Sequence, residues 1–398
     1  MTHILMLLEN NPYPQDGRVR REATALVEAG YRVSVIAPSK PGQARRETVS
    51  GVNVLRYGAP PDGDGVLGYL REYGVALFWA FWLAMRLWRR DRFDVIHAHN
   101  PPDLYVLVGL LFRLFGVRFV FDHHDLSPEM YVAHGGGGLL LWLLRWFERL
   151  TLRTADHVIS TNESYKQVAI ERGARAAESV TVVRNGPDLA RVRRVAPDPA
   201  LRDKGHLIGY VGEMGAHDGV NYLLRALHHL RYEMGRTDFQ AVLIGTGPSW
   251  EALRDLSAEL KLDDHVNLTG FVSDEDLIRY LNSAEICVDP DPANPFNDRS
   301  TMIKMTEYMA LGKPVVCFDL TEHRRTAGEA AIYVADNSIE QFATALVELM
   351  DDPERREQMG KLARRRAETR LAWHLQAPHL VEVYERLGRQ GKLRVANV

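Results

Sequence analysis

Residues 298–328 read DRSTMIKMTEYMALGKPVVCFDLTEHRRTAG, and this stretch decides how the chain is parsed. Met302, Met305 and Met309 recur at the spacing of one helix face, which Ala310 and Leu311 widen. Lys304, Glu307, Tyr308 and Leu311 fall on an adjoining face, because residues three and four apart are helical neighbours. Gly312 ends the helix, and Pro314 prevents its continuation. Val315 to Phe318 is a short apolar run of the kind that forms a buried strand. Asp298, Ser300 and Thr301 stand where an N-cap is expected. A helix that starts there offers backbone N–H groups and a positive dipole end, which suit a phosphate. Lys304 and Glu307 also have a plainer reading, an i,i+3 ion pair on a wet face worth ~0.2–0.5 kcal/mol.

The same helix-and-strand grammar extends in both directions. Strands are expected at Ile4–Leu8, Arg32–Ile36, Val52–Arg56, Asp94–His97, Arg118–Asp122, His157–Ser160 and Ser179–Val183. Helices lie between them, the first over 16–28 with Val19, Ala23, Leu26 and Val27 inward. Composition changes at ARVRRVAPDPALRDK, residues 190–204, where charge and two prolines replace periodicity and mark a linker. The alternation restarts with strands at His206–Val211, Gln240–Ile244, His265–Leu268, Ile286–Asp289, Pro314–Phe318 and Ala331–Val334, and an amphipathic helical end over 353–387. Such alternation predicts an α/β fold with parallel, doubly wound sheets.

The chain has 398 residues, which predicts two or three domains. A net charge of −3 gives no case for nucleic-acid binding. Cys287 and Cys317 both lie in apolar runs, so they read as core thiols in a reducing compartment. THILMLLENN at the start reads as a buried strand without a secretory leader, so a cytoplasmic location is expected. The apolar stretch 74–88 contains Arg86 and is shorter than the ~20 residues a spanning helix needs.

The run EYMALGKPVV resembles the C-terminal signature of the family-4 glycosyltransferases, retaining enzymes of the GT-B fold. The resemblance covers nearly the whole chain. It implies two Rossmann-like domains facing a central cleft: 1–187 for the acceptor, a linker over 188–204, and 205–372 for a nucleotide-sugar donor. The terminal segment 373–398 would cross back onto the first domain. It further implies that Glu307 binds the donor ribose, a sensible duty for a carboxylate facing a cis-diol. Arg184-Asn185-Gly186-Pro187-Asp188 is similar to the family's P-N-G-x-D turn, which places Asn185 toward the donor. Gly245-Thr246-Gly247-Pro248 resembles its G-x-G-P loop, although two glycines alone indicate only a tight turn. Gly270-Phe271-Val272 resembles the segment that contacts the base.

Two departures stand out. The family's G-R-L-x-x-x-K-G loop is here Gly212-Glu213-Met214-Gly215-Ala216-His217-Asp218-Gly219, so Glu213 and Asp218 replace both cations. The first glutamate of E-x7-E is Arg299. Charge compensation for a pyrophosphate is therefore expected from Arg299 and Lys304, beside the backbone of Ser300, Thr301, Met302 and Ile303.

In the first half, Gly17 and Arg18 open the first helix. Arg18 either reaches an acceptor phosphate or simply solvates that helix. His97 and His99 form an H-x-H after a strand, and His99 is expected to shape the acceptor side. His124 aligns with a family histidine near the donor sugar, with His123 as core. The His and carboxylate cluster 121–129 and the D-x-D of Asp289 and Asp291 match no strong metal spacing, so no metal and no cofactor are expected. Residues 139–153, LLLWLLRWFERLTLR, combine Trp, Leu, Phe and Arg, as does 74–88. Each reads first as a helix packed on the sheet, and second as an interfacial helix on the anionic inner face of the cell membrane. The reading is a metal-independent, retaining transferase in polysaccharide biosynthesis. It takes a UDP- or GDP-type sugar and a sugar or lipid-linked hydroxyl acceptor. A GT-B sugar-nucleotide epimerase and a non-catalytic nucleotide-sugar-binding homologue are the alternatives.

Overall fold

The computed structural model describes residues 1–58 and 65–395. Two compact units divide the chain: Met1–Arg184 together with the segment from Gln376, and Asn185–Leu375. The segment expected over 373–398 is helical from Trp373 to Val395, and its last three residues lie outside the described ones.

The first unit begins β1 (His3–Leu7), α1 (Gly17–Glu28), β2 (Arg32–Ser39), β3 (Arg46–Val49), β4 (Val52–Gly58) and α2 (Gly65–Arg90). It continues β5 (Val95–His99), α3 (Val106–Arg113), β6 (Arg118–His123), α4 (Ser127–Ala133) and α5 (Gly138–Thr154). β7 (His157–Ser160), α6 (Glu163–Gly173) and β8 (Val180–Val182) complete its sheet, ordered β3-β4-β2-β1-β5-β6-β7-β8. Every pairing is parallel except β3 with β4. Strand order reverses at β1 and β5, the switch point beyond whose carboxyl ends open α/β sheets bind ligands.

The second unit opens with β9 (His206–Val211), α7 (Val220–His228), β10 (Phe239–Ile244), α8 (Trp250–Glu259) and β11 (Val266–Gly270). Then come α9 (Asp274–Ser283), β12 (Ile286–Asp289), α10 (Ile303–Ala310), β13 (Val315–Phe318), α11 (Thr321–Ala327) and β14 (Ala331–Val334). Helices α12 (Ile339–Asp351) and α13 (Pro353–Arg366) follow, and then α14 (Trp373–Val395), which from Gln376 on belongs to the first unit. The sheet is wholly parallel, ordered β11-β10-β9-β12-β13-β14, with its switch point at β9 and β12.

The apolar runs are continuous because both faces of each strand are covered. Leu207, Cys287, Val315 and Cys317 point to one face, against Met305, Tyr308 and Met309 of α10. Ile208, Val288, Val316 and Phe318 point to the other, against Leu223 of α7 and Phe342 of α12. Both cysteines are free and buried, and burial pushes the Cys287 thiol up to about 12.

Three elements were not anticipated, β3, α4 and α12. β3 is Arg-Glu-Thr-Val, mostly exposed, and is a strand only because β4 pairs with it. The start of the decisive helix also differs from expectation. α10 begins at Ile303 with Met302 as N-cap and no side-chain cap. Asp298 instead accepts hydrogen bonds from the Thr321 N–H (2.8 Å) and hydroxyl (3.1 Å), at the start of α11. Ser300 Oγ donates to the Phe296 carbonyl and Thr301 Oγ1 to Glu322, while the Ser300 N–H donates to the Asn297 carbonyl.

The loops after β9 and β10 are zipped together through their backbones. Gly212 N donates to Ile244 O, Met214 N to Thr246 O and Ser249 N to Met214 O. The path leaves no room at Gly245, where φ is +131° and an added Cβ would sit 1.9 Å from the Gly212 carbonyl oxygen. Gly17 has nothing within 4 Å of such an atom. Gly245→Ala should therefore lower unfolding free energy by at least ~2 kcal/mol, and Gly17→Ala should stay within ~0.5 kcal/mol of wild type. Denaturant titration of the two variants checks this, and equal midpoints would refute it.

Candidate functional site

Each unit carries a polar cluster at the carboxyl ends of its central strands. In the second unit Lys304, the second residue of α10, is only 8% exposed. Its Nζ lies 2.5 Å from Asp291, 3.4 Å from Asp289 and 3.6 Å from Asp218, with the Tyr210 ring 5.2 Å away. Asp289 ends β12, and Asp218 comes from the loop after β9. Burial opposes charge on Lys304, but Asp289 and Asp291 outweigh it and hold the ammonium well above its ordinary range. Burial and the neighbouring Asp289 push Asp291 well up. Burial would raise Asp289 too, but Lys304 and His323 bring it below its ordinary value. Lys304 is held among three carboxylates, with Asp291 the nearest. Lys304 is thus neither half of an ion pair with Glu307 nor an uncommitted cation. Its charge is taken up inside its own domain, and the D-x-D pair is part of what takes it up.

Glu307 is half-buried one turn further along α10, and its Oε1 accepts from Arg191 Nη1 at 2.9 Å. Arg191 also grips Asp274, through Nε at 3.1 Å and Nη2 at 2.8 Å. The hydrogen bond to Asp274, helped by Glu307, raises Arg191 above its ordinary value. Nothing in the sequence singled out Arg191, which sits in the stretch read as a linker. Arg299 is half-buried in a short 3-10 turn, Asn297–Arg299. Phe271 is 89% exposed, directly after β11. Gly212, Gly245 and Gly247 belong to the zipped loops, and a Cβ on Gly247 would meet the Met214 backbone at 2.7 Å. Asn185 adjoins Gly186, whose added Cβ would lie 1.9 Å from the Leu371 carbonyl oxygen.

In the first unit, Arg18 is the second residue of α1 and is buried. It holds Asp122 through Nε and Nη2, both at 3.0 Å, lies 3.0 Å from Glu22, and donates to the Val183 carbonyl at 3.1 Å. Neither expectation for Arg18 survives, since it is locked inside the domain rather than solvated or reaching outward. His97 and His99 of β5 complete the cluster, with Tyr384 of α14 2.7 Å from His97 Nδ1. Glu22, His97, His99 and Asp122 offer ligand atoms within 4.8 Å of one another, close enough for a metal ion. Arg18 already serves both carboxylates there as the cation.

His124 Nδ1 is 3.4 Å from Asp122, and Nε2 is 3.9 Å from Asp125. Burial opposes charge on His124, but Asp122 and Asp125 outweigh it and raise the imidazole above its ordinary value. Asn100, another residue the sequence did not flag, clamps this turn. Its Oδ1 accepts from the N–H groups of His124 (2.9 Å) and Asp125 (3.1 Å), and its Nδ2 donates to the Asp125 carbonyl (2.7 Å). His123 is buried, stacked on Phe121 and 3.4 Å from Glu148.

The strand-end geometry in both units is what a ligand-binding doubly wound protein requires, and the comparisons with known proteins say which. The profile of the Glycosyl transferase 4-like domain matches residues 17–186, and that of Glycosyl transferases group 1 matches 205–352. The MMP alpha-(1->4)-mannosyltransferase of Mycolicibacterium hassiacum is 32% identical over 318 residues, covering 75% of this chain and 72% of that protein. This chain is a group 1 glycosyltransferase. The glycogen synthase of Mycobacterium tuberculosis is 25% identical over 382 residues, covering 92% of the glycosyltransferase and 89% of the relative. Sucrose-phosphate synthase from Thermosynechococcus elongatus superposes with a TM-score of 0.79 at 21% identity, over 98% of this chain and all of that one. Anabaena HepE in complex with UDP gives 0.73 at 17% identity, over 97% and 100%. The fold is GT-B.

One chemical detail of the glycosyltransferase's first domain is open to measurement. His99 Nδ1 faces the Leu7 carbonyl at 3.3 Å, an acceptor only, so Nδ1 carries the proton and Nε2 accepts. Its partner Glu22 Oε2, 3.0 Å away, must then donate. Burial, reinforced by Asp122 and opposed by Arg18, pushes Glu22 from 4.5 up to about 8, which keeps the donating proton in place. Burial likewise brings His99 down to about 4. The stability tied to the Glu22 proton is complete below 4.5 and is lost as pH rises through about 8. Glu22→Gln, a permanent donor, should escape that loss. Thermal midpoints should therefore diverge in favour of the variant as pH rises from the lower value to the higher, and parallel profiles would sink the assignment.

Proposed function

We propose that this glycosyltransferase moves a sugar, with retention, from a UDP- or GDP-type nucleotide sugar to a hydroxyl acceptor, without a metal ion or cofactor. The observation that carries this is Glu307. It stands half-buried on a helix whose first turn has no side-chain cap, with Arg191 bonded to its Oε1. A carboxylate so placed can exchange an arginine for a ribose diol, while the first-turn amides face the diphosphate. A solved structure of the same fold carries UDP. Phe271 supplies an exposed aromatic for the base. Arg299 is the cation this reading assigns to the diphosphate. Lys304 acts indirectly, by fixing the start of α10. His124, on a clamped turn at the end of β6, positions the transferred sugar in this reading, and the face near Gly17 and His99 receives the acceptor.

Retention without a dedicated nucleophile implies attack from the face the leaving group departs, with backbone dipoles stabilising the departing diphosphate. The acceptor is a glycan or a lipid-linked intermediate of polysaccharide synthesis, met at a membrane surface. Among the described residues no helix is long and apolar enough to cross a membrane.

Glu307→Ala should fold normally and lose ~1.5–3 kcal/mol of donor binding, the usual cost of a charged hydrogen-bond partner. Calorimetric titration with UDP- and GDP-sugars measures this directly, and an unchanged affinity would remove Glu307 from the site. Transfer should also persist in excess chelator. Loss of activity there, with recovery on adding manganese, would return Asp289 and Asp291 to a metal-binding role.

A further inference from the structure

The first unit contains a cavity of about 340 Å³ that the reading above does not use. Leu140, Leu143, Leu144 and Phe147 of α5 form one wall at i, i+3, i+4, i+7 spacing, and Tyr73 of α2 and Met130 of α4 line it as well. The lining is overwhelmingly apolar and the volume is that of a small-molecule site. Polar groups interrupt it, among them Asp103 and Ser127. Asp103 is 6% exposed, and its Oδ1 has no hydrogen-bond partner among the described residues. Ser127 Oγ is in the same position. Burial, with Glu148 adding to it and Asn100 opposing it, raises Asp103 well above its ordinary value, and a carboxyl in the cavity wall is a polar partner for a hydroxyl or ester oxygen.

The rest of α5 indicates what enters. Beside the cavity wall runs a second apolar stripe, Leu139 (73% exposed), Trp142 (59%) and Trp146 (45%). Next to it Arg145, Arg149 and Arg153 are exposed at four-residue intervals. On α2, Phe78 is 60% exposed and Trp82 42%, with the Arg86 guanidinium 5.2 Å over the Trp82 ring. Packing inside the domain explains the cavity-lining leucines, but it leaves these aromatics in water. A helix with exposed Trp and Leu bordered by arginines matches an anionic lipid surface in both polarity and charge.

We propose that the cavity binds the apolar chain of a phosphate-bearing lipid acceptor, drawn from a membrane on which α5 lies. This rests on the transferase reading, for which it names the acceptor class. The chain packs against Leu140, Leu143 and Leu144, and Asp103 and Ser127 meet the first oxygen atoms beyond it. The arginine row of α5 stays at the level of the phosphates.

The test uses the full chain with dodecyl phosphate, below its micelle-forming concentration, followed by tryptophan fluorescence. Saturable binding of one equivalent is expected, without competition from inorganic phosphate. Leu143→Trp and Leu144→Trp, which fill the cavity, should each weaken it at least ~10-fold. Circular dichroism verifies that both variants are folded. A measurement that needs no variant is photo-crosslinking from vesicles of phosphatidylcholine and phosphatidylglycerol doped with a diazirine-tailed alkyl phosphate. Adducts are expected on Met130, Tyr131 or the α5 leucines. Undiminished binding in both variants, or adducts confined to other segments, overturns the proposal. So does dodecanol binding as tightly as dodecyl phosphate without vesicle association, which would assign the cavity to a soluble apolar acceptor. Donor turnover is followed in the same samples. A chain that consumes nucleotide sugar but never binds the alkyl phosphate refutes the lipid site alone. A chain that binds the alkyl phosphate and consumes no nucleotide sugar refutes the donor reading instead.

Discussion

A buried ammonium cannot be left alone, and the second domain is built around that constraint. Withdrawing Lys304 from water costs several kcal/mol, which only close carboxylates can offset. The offset draws on Asp289 at the end of β12, Asp291 two residues on, and Asp218 from the loop after β9. Two separate pieces of chain are thereby fixed around the first turn of α10. The first domain repeats the device with Arg18, also the second residue of its helix, facing Asp122 at the end of β6 and Glu22 one turn on. In both domains a cation sits at the helix end where the macrodipole disfavours it. Strand-end carboxylates offset that penalty, and they can do so only if helix and sheet keep their register.

This arrangement revises how a pyrophosphate is met. Glu213 and Asp218 stand where the family pattern has cations, and the residue types alone suggested that Lys304 had taken over the missing charge. Lys304 instead lies among Asp291, Asp289 and Asp218, so part of its charge is met inside its own domain. The arginine nearest Glu307 is Arg191, which already bridges Glu307 to Asp274. In the proposed function a ribose that takes Glu307 loosens that bridge, and Arg191 then has one carboxylate fewer to satisfy it. In the proposed function the cation released in this way is available to the donor phosphates.

Much of the architecture was legible because buried parallel strands are unbroken apolar runs. His206–Val211, Ile286–Asp289 and Ala331–Val334 have the ends their hydrophobicity predicts. Helix starts were harder to read. Asp298, Ser300 and Thr301 are all competent caps, yet none serves, because Asp298 and Thr301 are claimed by Thr321 and Glu322, twenty or so residues further on. The identities of the site residues could be read, but their pairings could not. Whether Lys304 faces Glu307, a phosphate or three aspartates depends on where α10 lands against β9 and β12. Arg191 and Asn100 gave no signal, because one arginine in a charged stretch and one asparagine before two prolines are unremarkable until their partners are in place.

The small strand that escaped the sequence reading has a consequence for how the protein behaves among its own copies. A sheet ending at β4 would present Val52, Val54 and Leu55 beside an open row of backbone donors and acceptors, a template for any extended segment. β3 closes that row in the antiparallel sense and turns exposed Arg46 and Glu47 outward. At the opposite edge β8 is only three residues long, too short to recruit much. Charge at one border and brevity at the other let eight strands lie side by side without inviting a ninth from a neighbouring molecule, so the first domain can stay dispersed at high local concentration.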